Sequence, residues 1–317
     1  MRRILLVKTS SLGDVVHNLP VVSDIRDGLS GASIDWVVEE AFAAIPRLHA
    51  GVNRVIPVAI RRWRREILRA STRSECRAFF RQLREHEYQA IIDTQGLLKS
   101  ALVTSAARGP GFGLDWKSSR EPLRLFYQRT FSVPWGQHAV ARNRSLAARA
   151  LGHAIAAPAS YGIQAPRRAF AWLPADRYAV LLHATSAAPK LWPESHWCDI
   201  SNHLFSKNII SVLPWGSADE RARSERLARS MSNAVIAPAL ALNDMAALLA
   251  QAQVVVGVDT GLTHLAAALN VPTVGIYSAT DVAATGIYAC PRGVNVGAIA
   301  LSPTVQQVIA AIGQVTQ

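Results

Sequence analysis

The stretch Val254-Val255-Val256-Gly257-Val258-Asp259-Thr260-Gly261-Leu262-Thr263-His264 joins an apolar run to a glycine-containing polar turn and an Ala-rich segment. We predict a buried strand over 254–259, a tight turn at the glycine, and a helix that begins at Leu262 or Thr263. The first turn of such a helix has N–H groups without intrahelical partners and the positive end of the helix dipole, which together can bind a phosphate. Asp259 and Thr260 are suited to cap this helix, and His264 lies on its first turn. The alternative is an ordinary capped helix with a surface histidine.

Short apolar runs alternate with helical stretches along the whole chain. Predicted strands cover 4–8, 34–38, 54–58, 89–93, 178–183, 209–213, 234–237, 254–259 and 273–277, and two of the predicted helices cover 15–29 and 97–107. This alternation predicts parallel sheets with right-handed crossovers. Residues 152–174 show little periodicity and indicate a linker. We therefore expect an α/β protein of two doubly wound, Rossmann-like domains, residues 1–165 and 166–317. This division allows the last helix of the chain to pack against the first domain.

Composition excludes several classes of protein. The chain has 317 residues, half of them hydrophobic, but no apolar run of the roughly 18 residues that a membrane helix needs. The N-terminal apolar run ends at Lys8, too early for a signal peptide. Cys76, Cys198 and Cys290 are far apart, which argues against a disulfide framework and against a zinc site. A cytoplasmic protein is expected.

The charge is concentrated in the first half of the chain. Residues 1–170 contain 26 Lys and Arg against 13 Asp and Glu, whereas residues 171–317 contain 8 against 9. Nine arginines fall within 61–84, and those at 65, 69, 73, 77 and 81 would form one basic face on a continuous helix. Such a run is either a solvated helix face or a surface for a polyanion: nucleic acid, an anionic membrane or a phosphorylated substrate.

Polar loops that follow predicted strands are the candidate ligand sites, because open α/β sheets bind ligands at the carboxyl ends of their strands. The first such loop contains Ser10 and Asp14, but neither a dinucleotide fingerprint nor a P-loop. In the second half, Thr185, Ser186 and Lys190 suit a diphosphate, and Glu220 could accept hydrogen bonds from hydroxyls. For Asp14 the alternative is a helix cap, and for Lys190 a solvated surface residue.

Five segments, 7–15, 35–40, 55–64, 93–100 and 258–265, together resemble the lipopolysaccharide heptosyltransferase family over almost the whole chain. Segments 35–40 and 59–64 favour the type I branch over type II. The resemblance implies a GT-B fold, with two Rossmann-like domains facing each other across a cleft. It also implies an inverting transfer, without metal or cofactor, of L-glycero-D-manno-heptose from ADP-heptose to a Kdo sugar of Kdo2-lipid A. The alternative is a type II transfer to an acceptor that already carries heptose.

The same resemblance implies roles for individual residues. Asp14 would be the catalytic base, and Lys190 would neutralise charge on the leaving ADP. The implied donor-binding residues are Thr185, Ser186, Lys190, Glu220, Leu240, Asp259, Thr260, Gly261 and His264. The implied acceptor-binding residues are Ser10, Arg61, Arg62, Arg64 and Arg120. The chain departs from the family at Ala187-Ala188-Pro189, where an acidic residue often precedes the lysine. Thr280 and Asp281 are placed in a donor-side loop, and we assign them no role beyond that.

The basic first half fits this interpretation, since lipid A phosphates and Kdo carboxylates form a polyanion at the inner leaflet. We therefore expect peripheral association with the cytoplasmic face of the inner membrane. A nucleotide-sugar epimerase of similar architecture would not need so basic a first domain. A nucleic-acid binding protein would leave the second domain unexplained, and we expect no nucleic-acid partner.

Overall fold

Each half of the chain folds around one parallel six-stranded sheet flanked by helices. The structure, a computed structural model, describes residues 2–155, 158–174 and 177–317. Its contacts divide the chain into two units, Met1–Ile163 and Gln164–Gln317. The predicted α/β class with two doubly wound sheets is confirmed.

The first unit has the strand order β3-β2-β1-β4-β5-β6, so the chain winds first to one side of β1 and then to the other. Its strands are β1 Arg3–Val7, β2 Ser33–Glu39, β3 Val52–Val58, β4 Ala90–Asp93, β5 Gly111–Leu114 and β6 Arg129–Phe131. Its helices are α1 Leu12–Val16, α2 Leu19–Gly28, α3 Ala44–Arg47, α4 Ile60–Glu66, α5 Ala70–Leu83, α6 Leu98–Ala106 and α7 Ala139–Leu151. The central strand β1 is buried on both faces, as expected for a doubly covered parallel sheet.

The second unit repeats this winding with the order β12-β11-β10-β7-β8-β9. Its strands are β7 Tyr178–Leu182, β8 Ile210–Leu213, β9 Ala234–Ile236, β10 Val254–Val258, β11 Thr273–Tyr277 and β12 Gly293–Gly297. Its helices are α8 Glu194–Phe205, α9 Ala218–Ser230, α10 Leu242–Ala250, α11 Gly261–Ala268, α12 Val282–Thr285 and α13 Val305–Val315. The last helix, α13, buries Val308 and Ile312 in the core of this unit, beside Trp192 and Trp197.

All nine predicted strands are present, with ends that move by at most two residues. Strands β5, β6 and β12 were not predicted, because they are short edge or near-edge strands with few fully buried apolar residues. In β5 a Cβ atom at Gly113 would meet the Tyr127 ring at 2.4 Å, so glycine stands where a strand-forming side chain would clash.

The predicted helix over 15–29 is wrong, because the chain forms two helices, α1 and α2, with Asn18 between them. Pro20 lies in the first turn of α2, where its missing N–H costs no intrahelical hydrogen bond. The buried Asp24 carboxylate on α2 accepts two hydrogen bonds, of 2.7 and 2.8 Å, from Arg144 on α7. Removing one partner of such a buried pair typically costs about 3–5 kcal/mol of stability.

The arginines whose spacing would suit one basic helix face are divided between two helices. Helix α4 ends at Glu66, Ile67 and Leu68 form a turn, and Arg69 takes an extended backbone at the N-cap of α5. Arg65 and Arg73 therefore belong to different helices. No described helix is long and apolar enough to cross a bilayer.

Candidate functional site

In both units, polar loops follow the two central neighbouring strands, where the winding of the sheet changes direction. In the first unit these loops follow β1 and β4, and in the second they follow β7 and β10. Crevices at such switch points are where doubly wound sheets bind their ligands. Some of the sequence-predicted residues lie in the loops after these strands, and the others lie after β3, β5, β8 and β9.

A polar cluster centred on Asp259 occupies the switch point of the second unit. Asp259 Oδ2 accepts hydrogen bonds of 2.6 Å from Lys190 Nζ and 2.6 Å from the Thr280 hydroxyl. Asp259 Oδ1 lies 3.3 Å from His264 Nε2. The loops after β7, β10 and β11 are thus tied together by one carboxylate.

The Asp259 carboxylate is ionised in this setting. Burial raises its pKa, but hydrogen bonds from His264, Lys190 and Thr280 outweigh that effect and hold the pKa well below its usual range. Asp259 is buried, whereas the Lys190 side chain keeps 30% of its surface exposed. Asp259 therefore holds the ammonium group in place, while part of the Lys190 side chain stays accessible to solvent. This arrangement is suited to an anionic ligand.

Helix α11 begins at Gly261, one residue before Leu262 and two before Thr263, the two predicted starts, and Thr260 is its N-cap. The expected capping by side chains is wrong: the Thr260 side chain makes no capping hydrogen bond, and Asp259 is engaged with Lys190 instead. The alternative interpretation, a surface histidine, is wrong, since His264 is buried. The Thr260 hydroxyl and the first N–H groups of α11 are therefore available to bind an anion.

A glycine inside the preceding strand makes this corner possible. A Cβ atom at Gly257 would lie 2.2 Å from the Thr263 hydroxyl oxygen. That hydroxyl donates a 2.7 Å hydrogen bond to the Val258 carbonyl and fixes the first turn of α11 to the end of β10. The role of Gly257 is thus close approach of strand and helix, a role that the sequence interpretation did not include.

The other predicted donor residues lie on loops of the same sheet edge. The Thr185 hydroxyl donates to the Asp259 carbonyl at 3.3 Å, so Thr185 joins the cluster, whereas Ser186 is exposed beside it. Glu220, in the first turn of α9, accepts a 2.7 Å hydrogen bond from Gly216 N–H. Leu240 is half-buried in the loop after β9. The loops after β8 and β9 therefore present a carboxylate and an apolar side chain.

In the first unit, Asp14 lies in the first turn of α1, directly after β1. Its Oδ2 atom accepts hydrogen bonds from Ser11 N–H at 2.7 Å and from the Ser11 hydroxyl at 2.9 Å. The capping alternative is thus present, since Asp14 and Ser11 form a capping box. The cap engages Oδ2 alone and leaves Oδ1 to accept a hydrogen bond from a ligand.

The loop that carries Asp14 is held by residues after β4. Gln95 Oε1 accepts from the backbone N–H groups of Thr9 at 3.1 Å and Ser10 at 3.0 Å. Lys99 Nζ donates a 2.7 Å hydrogen bond to the Ser10 hydroxyl. Ser10 is therefore placed by two partners at the switch point.

A buried lysine underlies this loop. Lys8 Nζ donates a 2.9 Å hydrogen bond to the Thr94 carbonyl. Burial lowers the pKa of Lys8, while the nearby Asp14 and Asp93 carboxylates oppose that shift. Burial also lowers the pKa of Lys99, and Arg61 adds to the effect. The surroundings of Asp14 are thus rich in cationic side chains.

The four arginines predicted for the acceptor differ in their surroundings. The Arg61 guanidinium lies 5.7 Å from the centre of the Phe42 ring, and the charges of Arg61 and Arg64 act on Lys99. Arg120 is exposed, and its charge acts on Lys8. Arg62 alone of the four is engaged by two carboxylates among the described residues: Glu40 at 3.0 Å and Glu75 at 2.8 Å.

Four residues with direct contacts in these clusters were missed: Lys8, Gln95, Lys99 and Thr280. Lys8 ends an apolar strand run, and a charged residue at that point is a signal that could have been used. Gln95 and Lys99 follow a predicted strand in the same way. Thr280 carried no such signal, because its partner Asp259 is 21 residues away in sequence. Within the described ranges, no group of three or more His, Cys, Asp or Glu residues is placed to hold a metal ion.

Comparison with known proteins matches residues 76–309 to the model of glycosyltransferase family 9 (heptosyltransferase). The chain is 47% identical over 289 residues to lipopolysaccharide heptosyltransferase 1 of Pseudomonas aeruginosa, covering 90% of this chain and 81% of that protein. Among solved structures, it is similar to E. coli heptosyltransferase WaaC with ADP, at a TM-score of 0.90 and 41% identity over 99% of both chains. WaaC with ADP-2-deoxy-2-fluoro heptose gives a TM-score of 0.86 at 40% identity, covering 98% of this chain and 99% of that one.

These matches extend over nearly the whole chain and confirm the resemblance found in the sequence, including its type I character and the GT-B fold class. The chain belongs to glycosyltransferase family 9, the heptosyltransferases. It is thus a glycosyltransferase, and the nucleotide-sugar epimerase considered as an alternative is set aside.

Proposed function

We propose that this chain transfers L-glycero-D-manno-heptose from ADP-heptose to a Kdo residue of Kdo2-lipid A, which adds the first heptose of the lipopolysaccharide inner core. The observation that carries the proposal is the Lys190–Asp259 pair beside the open N-terminus of α11. Asp14 supplies the matching carboxylate among cations on the other unit. We assign residues 1–165 to the acceptor and residues 166–317 to the donor.

On the donor side, the diphosphate of ADP-heptose accepts hydrogen bonds from Thr260, from the first N–H groups of α11 and from Lys190. Thr185, Ser186 and His264 border the same loops. Support comes from the relative WaaC, which has been solved with ADP and with a fluorinated ADP-heptose. Glu220 would accept from the ribose hydroxyls, and Leu240 would pack against adenine.

The transfer is a single displacement with inversion. The Kdo hydroxyl oxygen bonds to the anomeric carbon of heptose as the bond from that carbon to the β-phosphate oxygen breaks. Asp14 takes the hydroxyl proton, and ADP leaves with the bonding electron pair. The preorganised donors around Lys190 stabilise the negative charge that develops on ADP. These groups supply the positive charge, so we propose that the reaction needs no metal ion.

On the acceptor side, Ser10, Arg61, Arg64 and Arg120 bind the carboxylates and phosphates of Kdo2-lipid A. Arginine suits these groups because it donates two parallel hydrogen bonds to one oxyanion. Arg62 takes part only if it leaves Glu40 and Glu75, so we assign it the lesser share.

The same charge brings the protein to its substrate. We propose that the chain is cytoplasmic and associates peripherally with the inner leaflet, at about 1 kcal/mol for each Lys or Arg near an anionic surface. The excess of 13 positive charges in residues 1–170 supports this location. No nucleic-acid partner is part of the proposal.

The proposal is tested by incubating the purified protein with ADP-heptose and Kdo2-lipid A, following ADP release and the mass of the lipid product. We expect stoichiometric ADP and one added heptose. Absence of product, with ADP still bound by the protein, would refute the acceptor assignment. The alternative, a type II transfer, predicts product only with an acceptor that already carries heptose.

A further inference from the structure

Two aliphatic side chains project from the most basic part of the first unit. Ile67 is 55% exposed and Leu68 is 85% exposed, in the turn between α4 and α5. The turn is well defined, because Arg69 N–H donates to the Glu66 carbonyl at 2.9 Å and Arg73 donates to the Leu68 carbonyl at 2.6 Å. We call these two residues the Ile67–Leu68 tip.

Arginines flank the tip in the sequence. Arg62 and Arg69 are paired with carboxylates, Arg62 with Glu40 and Glu75 and Arg69 with Glu66. Arg64, Arg65 and Arg73 add further positive charge within six residues of the tip in sequence. The tip is thus an exposed apolar pair within a strongly basic segment.

The tip lies toward the same sheet edge as Asp14. Helix α4 starts just after the carboxyl end of β3, and α5 then runs back along the sheet to reach the start of β4. Phe79 and Leu83 fix that direction by packing in the core with residues of β3 and β4. Since α5 is about 20 Å long, its N-terminal end lies at or beyond the carboxyl edge.

We propose that the Ile67–Leu68 tip inserts into the interfacial region of an anionic bilayer while the arginines around it bind lipid phosphates. The inference rests on the proposed function, since an acceptor anchored in lipid requires the edge that carries Asp14 to approach the bilayer. Charge complementarity favours this occupant. Two side chains also bury far less surface than the roughly 800 Å² per partner of a stable protein interface. They are instead suited to shallow insertion beside basic residues.

The test is flotation of the full chain with vesicles of phosphatidylethanolamine and phosphatidylglycerol, at 0.1 M and 0.5 M salt, for wild type and Ile67→Ser/Leu68→Ser. Leu125→Ser is the matched control, because Leu125 is 97% exposed on the same unit but lies next to Arg124, in the crossover before the amino end of β6. We expect the double variant to bind at least about tenfold more weakly, from the apolar area it no longer buries. The wild type should retain part of its binding at 0.5 M salt, and Leu125→Ser should match it.

Turnover on a water-soluble, deacylated Kdo acceptor separates this inference from the proposed function. The double variant should equal wild type on that acceptor, with an unchanged melting temperature, and fall behind only on acceptor held in vesicles. Equal vesicle binding by the wild type and the double variant would overturn the inference, as would complete release of the wild type at 0.5 M salt. A concentration-dependent dimer that the double variant abolishes would assign the tip to a second copy instead. If the wild type itself shows no turnover on the soluble acceptor, the proposed function is refuted, but the inference that the tip inserts into a bilayer is not.

Discussion

Lys190 Nζ and Asp259 Oδ2 lie 2.6 Å apart although the two residues are 69 positions apart in sequence. The contact exists because β7 and β10 are adjacent in the sheet, so that the loops after them meet. Asp259 orients the ammonium group and is itself fixed by Thr280 and His264. The pair is therefore a positioned cation rather than a solvated lysine.

This relationship predicts non-additive effects of Lys190→Met and Asp259→Asn. Each substitution alone should weaken binding of ADP about tenfold or more, because the lysine is either absent or no longer oriented. The double variant should lose little beyond the worse single variant, with a coupling free energy of roughly 1–3 kcal/mol. Calorimetric titration of ADP into the four proteins measures this. Additive losses would mean that Asp259 does not act through Lys190.

Asp14→Asn should lower kcat by at least about 10²-fold, since the amide cannot take the acceptor proton. Affinity for ADP should stay unchanged, because Asp14 lies on the unit assigned to the acceptor. Ser11→Ala is the matched control: it removes one hydrogen bond to Oδ2 but leaves the carboxylate, so its loss of kcat should be much smaller. Steady-state kinetics with both substrates decides, and an Asp14→Asn enzyme with most of its turnover would remove Asp14 from the mechanism.

Neutralising Arg61 and Arg64 together should raise the KM for Kdo2-lipid A several-fold and leave the KM for ADP-heptose unchanged. The penalty should shrink as salt rises, because exposed charges are screened over about 8 Å at 0.15 M ionic strength. Arg77→Gln/Arg81→Gln is the control, with the same loss of charge on exposed positions of α5 further along the chain.

Arg62→Gln should behave differently from that pair, because its guanidinium is already held by Glu40 and Glu75. It should lower the free energy of unfolding only slightly, as expected for exposed ion pairs, and change the acceptor KM little. If Arg62→Gln raises the acceptor KM as much as the combined Arg61 and Arg64 variant, the ion pairs of Arg62 open when the acceptor binds.

Turnover should persist in excess EDTA, since Lys190 and the start of α11 supply positive charge at the leaving diphosphate. Initial rates before and after dialysis against EDTA give the measurement. A loss of rate that Mg²⁺ or Mn²⁺ restores would show that a metal ion carries this charge instead.

The central strands were predictable because buried parallel strands are continuous apolar runs, and the loops that carry Asp14, Lys190 and Asp259 follow three of them. Lys190 and Asp259 were each singled out, but their contact was not, since it depends on which strands become neighbours. Lys8 was interpreted only as the end of an apolar run, although its side chain is buried beneath the loop that carries Asp14. The break at Ile67–Arg69 was hidden by arginine spacing that suited one continuous helix.

The acceptor that receives heptose distinguishes the proposed reaction from the type II alternative. The direct measurement supplies ADP-heptose with an equimolar mixture of Kdo2-lipid A and the same lipid already carrying one heptose, and follows both by mass spectrometry. We predict that heptose is added first and almost entirely to Kdo2-lipid A, and that Asp14→Asn suppresses this product. Preferential addition to the heptosylated lipid would contradict the account and assign the chain to the type II reaction.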